Sequence, residues 1–375
     1  MIARLRSQLA LPLGAIAMAL VVGAVVLIAT SPIVTGSFDP TLPVSTYWAL
    51  IQGSMLSVNG LVDTVVSATP LILVGLAVGL CFKAGMFNIG GQGQFLMGAV
   101  AAAAAGAALA NAPTYVAVPI SLLAGLIAGA AYGFVPGVLK AFTGAHEVVT
   151  TIMLNYVAIQ IVSYFITGPL QAPGASFARS LDVGNASLPV ILLEGTGHAG
   201  HLGIIIPIIV VPLIWWLLNR STIGFEIRTV GANPDAARYA GMRPRRLIVL
   251  ALTGGGLLAG LAGAIEILGV QGYMPAAYST NVGFDAITVA LLGRANPIGI
   301  LFAGLLLGAM RAAAPLMQIQ AGVPVQMIDL LQGVILFFLA ADVIVRRVFR
   351  LRAAVGGVDE LATVTRTYGG KSLAP

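Results

Sequence analysis

The stretch from Arg220 to Leu247, RSTIGFEIRTVGANPDAARYAGMRPRRL, carries six arginines and two carboxylates, Glu226 and Asp235. Apolar runs flank it on both sides, Gly203 to Leu218 and Leu247 to Leu268. Each run approaches the roughly 20 residues that a helix needs to cross the hydrocarbon core. The polar stretch is too short to bury a core of its own, so it reads as an arm between two membrane spans. A polar, Arg-rich helical arm on a chain otherwise built for lipid points to a docking surface for a soluble partner, not to a catalytic site.

The composition around that arm fits. Of 375 residues, 58% are hydrophobic and 9% charged, with 46 glycines, and the mean hydropathy is +0.99. Soluble domains carry about 25% charged residues. The fold class expected is all-α, a polytopic transmembrane helical bundle with about ten membrane segments, some short or broken. Residues 1–345 form the transmembrane permeation domain, with 220–247 as its arm, and 346–375 form a polar tail. The net charge of +6 gathers at span ends, which is the pattern of topology and gives no nucleic-acid partner. Cys81 is the sole cysteine, so no disulfide forms within the chain.

Further spans are expected at Leu9 to Thr30, Val62 to Phe82, Gln94 to Ala110, Tyr115 to Leu139, Val148 to Gly168 and Met327 to Val345. The first follows Arg4 and Arg6 but lacks a small-residue cleavage site, so it reads as an uncleaved span. Phe284 to Arg311 is apolar on both sides of Gly293-Arg294-Ala295-Asn296-Pro297. A single crossing there would leave Arg346, Arg347, Arg350 and Arg352 outside, against the positive-inside tendency. Two short segments, Phe284 to Leu292 and Ile298 to Met310, return both termini to the cytoplasm. Seventeen of the 19 basic residues then lie inside, leaving Arg179 and Arg311 outside. Ser31 to Gly60 and Pro169 to Leu202 become long external connections, the second a structured cap that could receive a partner or be an ordinary solvated loop.

Inside the bilayer, small residues let helices approach closely enough for packing to hold them together. Gly125, Gly129, Gly133 and Gly137 form such a stripe, and Gly75/Gly79, Gly256/Gly260 and Gly304/Gly308 repeat it. The stripes serve static packing or sliding between helices. Non-helical backbone at membrane depth persists only where protein or a water-filled cavity satisfies it. Two interruptions qualify, Asn88 to Gln94 and Gly293 to Pro297. Paired interruptions in corresponding halves point to a solute path. The residues expected along it are Asn88, Gln92, Gln94, Asn155, Glu266 and Asn296. Glu266 is the deepest carboxylate, whereas Asp285, Asp329 and Asp342 fall near segment ends and read as interfacial. Without a chain of carboxylates and histidines for proton relay, an uncharged polar lumen suits a neutral polar solute.

Other chemistry is not legible. Gly369-Gly370-Lys371-Ser372 lacks the upstream glycine of a phosphate-binding loop. Glu194, His198 and His201 have a loose metal-like spacing with no helix to carry it. Neither a metal nor a cofactor is expected, and no nucleophile and base set lies within the spans.

Three stretches carry a resemblance to a family. Lys83 to Gln94, KAGMFNIGGQGQ, resembles a segment of nucleoside-type permeases of bacterial ABC importers that reads close to RAGLFNIGAEGQ. Val230 to Met242, VGANPDAARYAGM, is similar to the coupling loop of the branch handling simple sugars, nucleosides and branched-chain amino acids. Gly283 to Gly299 is similar to its late broken span. The likeness runs from about Ala68 to Ala341, with Gln92 where the nucleoside branch often has Glu. The resemblance implies two permease subunits, identical or different, two cytosolic ATP-binding subunits and an extracytoplasmic solute-binding protein, set in the bacterial inner membrane. It also implies that Asn233, Pro234, Asp235, Ala236, Ala237, Arg238 and Gly241 engage the ATPase, with Asp235 capping the coupling helix. The solute expected is a nucleoside or a simple sugar. From the residues alone, an ion-coupled secondary transporter or a channel stands as the alternative.

Overall fold

The computed structural model describes residues 2–34, 36–192, 199–276, 278 and 281–348. The expectations placed on Glu194, His198, Arg350, Arg352, Arg366, residues 369–372 and the side chains of Arg4, Arg6, Asp342 and Arg346 lie outside what is described. Among the described residues the chain forms α1 (Ile2–Val34), α2 (Leu42–Met55), α3 (Val58–Lys83), α4 (Gly91–Ala108), α5 (Thr114–Val138), α6 (Glu147–Thr167), α7 (Ile205–Arg220), α8 (Thr222–Ala232), α9 (Pro234–Tyr239), α10 (Pro244–Glu266), α11 (Val282–Leu292), α12 (Pro297–Ala321), α13 (Gln326–Ala340) and α14 (Asp342–Val348). Single π-turns extend α5 through Thr143 and α10 through Gln271. Among the described residues seven helices are long and apolar enough to cross a membrane, and α11 and α13 are shorter apolar helices beside them. The chain is an all-α polytopic membrane protein.

Helix ends follow from local chemistry. Ser57 Oγ accepts from Gly60 N at 2.9 Å to start α3, and Ser221 Oγ accepts from Gly224 N at 3.0 Å to start α8. Each bond satisfies one of the amides a helix N-terminus leaves free. At their far ends, the π-extension of α10 stops at Gly272 and α12 stops at Gly322, both with positive φ.

The hub of the bundle is α3, whose residues from Ala68 to Cys81 are all buried. Against it lie α10, α11 and α12, the last through Gly304 and Gly308, which face Ile72 and Ala68. The α5 stripe meets α10 backbone to backbone. A Cβ on Gly129 would stand 2.8 Å from Gly260 N, and one on Gly133 would stand 2.9 Å from Gly256 Cα. Neither glycine could carry a side chain without moving the helices apart.

Three expectations about the spans are corrected. Ser31 to Gly60 is not simply a connection, because α2 packs against α12, with Leu42 and Ala49 buried beside Met317 and Ala321. Its polar residues, Ser45, Thr46 and Gln52, interrupt the apolar run and mask a short helix. The segment expected to stop at Met310 continues to Ala321, which puts Arg311 within α12 and not in an external loop. Asp285 is not interfacial by exposure: it is 13% exposed and paired with that same Arg311.

The connection from 168 to 204 is structured where it is described. Bridges join Gln171 to Ser180 and Arg179 to Pro275, and strands β1 (Val190–Leu192) and β2 (Gly200–His201) pair antiparallel. The His201 side chain is buried, accepts from Gly203 N at 3.1 Å through Nδ1, and lies against Gly269. Burial pushes its imidazole down to about 4.

Candidate functional site

The first interruption is a non-helical segment that turns back into the bundle. After α3 ends, Gly85 takes φ +74 and the chain runs without helix through Met86 to Ile89 before α4 begins at Gly91. Its main-chain groups are satisfied by neighbouring side chains, as backbone at membrane depth requires. Ile89 N donates to Thr151 Oγ1 at 3.3 Å, and Ile89 O accepts from Asn155 Nδ2 at 2.9 Å. Asn155 Oδ1 accepts from Gly93 N at 2.8 Å, so one amide from α6 holds both the non-helical segment and the start of α4. Asn88 is fully buried, accepts from Gly90 N at 3.0 Å and donates to Gln94 Oε1 at 3.1 Å. The structure therefore brings Asn88, Gln92, Gln94 and Asn155 together around a single main-chain feature.

Gln92 links this feature to the second half of the chain. Its Oε1 accepts from Gly283 N at 2.8 Å, so the N-termini of α4 and α11 meet. Gly283 has no room for a side chain because the Gln92 backbone fills the place a Cβ would take. Beside them lies a charged group that the sequence did not reveal. Asp285 on α11 is bonded to Arg311 on α12. The Gln332 amide on α13, oriented to satisfy its neighbours, donates to both Asp285 carboxylate oxygens at 3.1 and 3.2 Å. Glu266 accepts from the Tyr278 hydroxyl at 3.0 Å, and the Tyr278 ring stacks on Phe95 with centroids 6.5 Å apart. The expectation of a wholly uncharged interior is corrected by this ion pair. The Asp285, Arg311 and Gln332 group is split between three helices, α11, α12 and α13.

Asn296 sits apart from the other candidates. It accepts from Ile298 N at 3.0 Å and caps α12, beyond the end of α11. With a rise of about 1.5 Å per residue, α11 separates it from Gly283 by roughly 16 Å. The turn that joins α11 to α12 is tight: Arg294 and Ala295 both take left-handed conformations, φ 53 and 49. Ala295 N donates to Ala290 O at 2.8 Å, closing the end of α11. Non-glycine residues in that region cost on the order of 1 kcal/mol each, offset here by the burial of Ala295 against Gly79.

The polar arm folds as two short helices at the end of the bundle where α7 stops and α10 starts. Asn233, not Asp235, caps α9, accepting from Asp235 N and Ala236 N at 3.0 Å each. Asp235 sits one turn before Arg238, at 3.9 Å, with both side chains largely exposed. Pro at the first helical position has no amide to lose, which explains the Asn-Pro order. Ala237 is fully buried, whereas Pro234, Ala236, Ala240 and Gly241 are exposed and Tyr239 is 94% exposed. Gly241 has φ +81 and open space around it, so its role is to turn the chain toward Pro244. Tyr239 lies in the coupling-loop stretch but outside the set expected to engage the ATPase, and its exposure adds it to the outward face. The arm touches the non-helical segment described above: a Cβ on Gly85 would stand 3.0 Å from Gly231 Cα.

Residues 60–340 match the family described as branched-chain amino acid transport system / permease component. The guanosine ABC transporter permease protein NupP of Bacillus subtilis is 37% identical over 341 residues, 91% of this chain and 95% of that protein. The glucose ABC transporter permease protein TsgB13 of Haloferax volcanii is 33% identical, covering 81% of this chain and 82% of its own. The nucleoside ABC transporter permease protein NupB of Lactococcus lactis is also 33% identical, covering 81% and 85%. In each of these organisms a second permease of corresponding name is similar at 24–26% identity. No solved structure matches. A match spanning most of the chain, joined to a bundle of apolar helices, places this protein in the branched-chain amino acid transport system permease family.

Proposed function

We propose that this chain is one of two unlike permease subunits of an ATP-driven nucleoside importer in a bacterial inner membrane, with both termini in the cytoplasm. It is itself non-catalytic, as permeases of this family are, and separate cytosolic subunits hydrolyse ATP. The observation that carries the reading is the α8–α9 arm. It presents Asp235, Ala236, Arg238 and Tyr239 outward from a bundle that is otherwise apolar, on a helix fixed by Asn233 and Pro234. That is the form a motor needs to grip.

An extracytoplasmic solute-binding protein would deliver the solute at the opposite end, where residues 168–192 and 199–204 form the cap. The relatives support a nucleoside over a sugar, since two of the three described above are named for guanosine or nucleosides. They support a heterodimer because similar permeases occur in pairs, one member closer to this chain than the other. Gln92, Asn88, Gln94, Asn155 and Glu266 belong to the solute path in this reading as the groups that shape its wall, with Asn296 at the arm end.

The test is uptake in vesicles holding both permeases, the ATPases and the binding protein. Labelled guanosine should accumulate only with ATP, and vanadate should stop it. Tyr239→Ala should lower the ATPase rate that loaded binding protein elicits at least tenfold while the chain stays in the membrane. Accumulation without nucleotide would return the ion-coupled alternative, and unlabelled glucose competing as well as guanosine would reassign the solute.

A further inference from the structure

We infer that the chain carries a binding site for an anionic phospholipid in the groove between the end of α5 and the start of α10. The groove has a volume of about 770 Å³ and is lined by Arg238, Arg243, Arg245 and Arg246 on one side, and by Phe134, Val138 and Phe142 on the other. The residues lining it include four guanidiniums and no carboxylate, with Asp235 3.9 Å from Arg238 just outside it. Arg245 lies over the Phe142 ring, 5.9 Å from its centroid. Lys140, the nearby ammonium on the same stretch, is already spent on Glu147 at 2.7 Å and does not compete.

The two walls differ in chemistry in the way a lipid differs along its length. Phe134, Val138 and Phe142 recur every four residues, so they share one side of the α5 stretch. That side continues the apolar outer surface of α5, where Ile120, Leu123 and Ile127 are exposed. An acyl chain lying along that surface arrives with its phosphate at the arginines. Basic pockets between helices at the cytoplasmic face recognise anionic headgroups by this combination, and guanidiniums suit phosphate because they bond it bidentately. A soluble ATPase would cover the arginines but not a wall that runs on into the hydrocarbon. The charge complementarity and the continuity with the lipid-facing surface both favour a membrane phospholipid.

The consequence is that a bound lipid bridges α9 and α10, because Arg238 belongs to the former and Arg243, Arg245 and Arg246 to the loop and first turn that follow. The inference requires only that this end of the bundle lie at the cytoplasmic face, so it can fail while the transport reading survives.

The experiment is native mass spectrometry of the full-length chain released from nanodiscs of phosphatidylcholine with 20% phosphatidylglycerol or cardiolipin, about one lipid in five as in mixed anionic membranes. The chain should retain the anionic lipid in preference to phosphatidylcholine. The triple variant Arg243→Gln, Arg245→Gln, Arg246→Gln should lose that preference, with retention falling about fivefold for each charge removed. The triple Arg→Lys variant, which keeps the charge, should retain most of it and guards against a folding defect. Retention of the lipid by the Gln variant at the level of the unaltered chain would overturn the inference. So would equal retention of phosphatidylcholine, or displacement of the lipid by millimolar inorganic phosphate, which would assign the arginines to a free anion. If the Gln variant kept its lipid preference but no longer co-purified with the ATPases, the groove would belong to the protein interface instead.

Discussion

Arg311 shows what one residue can hide. In the sequence it follows an apolar run and reads as the external end of a short span; in the fold it lies within α12 and answers Asp285, 26 residues earlier. No periodicity links two residues on different helices, so a pair across a hairpin is illegible until the hairpin is built. Breaking a partly buried ion pair leaves the remaining charge uncompensated and costs about 3 kcal/mol, whereas replacing both partners with apolar residues is often neutral. Arg311→Met should therefore lower the melting temperature of the detergent-purified chain by several degrees, and Arg311→Met with Asp285→Leu should recover most of it. A double variant as unstable as the single would show that Arg311 acts through some contact other than Asp285. Asn233 is legible in another way: the sequence marks it as part of the docking arm, but assigns the capping role to Asp235, its neighbour two residues on. Both side chains suit a cap, and only the backbone shows that the extended residue, φ −158, is Asn233.

At the scale of elements, the glycine stripes were the most readable feature. Every fourth position from Gly125 to Gly137 falls on one side of a helix whatever lies opposite, and the partner stripe on α10 is written the same way. Gly129→Leu should prevent α5 and α10 from closing, cost more than about 2 kcal/mol, and send most of the expressed chain to degradation. Normal membrane levels with an unchanged melting temperature would mean that the seam opens freely. α2 was less readable, since 14 residues are too few to span and its partner on α12 was itself thought to end early. The cap joins this scale through His201. Its folded imidazole titrates near 4, below the roughly 6.5 of an unfolded histidine, so the cap's stability is complete above pH 6.5 and is lost as pH falls toward 4. Hydrogen exchange at Gly203 should accelerate over that window, by up to about 3 kcal/mol of opening free energy, and His201→Gln should flatten the dependence.

For the whole molecule, the sequence showed that an arm and two interruptions exist, and the fold shows how they connect. Gly231 on α8 touches the turn from Lys83 to Gly85, the non-helical segment after that turn is held by Asn155, and Gln92 in the first turn of α4 holds Gly283 of α11. A chain of contacts therefore leads from the arm through the first interruption to the N-terminus of α11. Gly231→Val should leave ATPase binding intact, because the docking face of α9 is untouched, yet reduce ATP-driven uptake severely. Uptake at the unaltered rate would remove this route from the mechanism. The rest was illegible because the contacts are made by main chain, and glycine writes the same letter whether it serves a turn, a seam or a joint.

The buried hub formed by α3 has an evolutionary side. With α3 enclosed and its neighbours pressed main chain against main chain, drift has few admissible moves at the centre and many at the periphery. A lineage adopting a new cargo would then keep this axle nearly unaltered and rewrite the rim. Deep mutational scanning should display that gradient as a tolerance that rises with distance from α3.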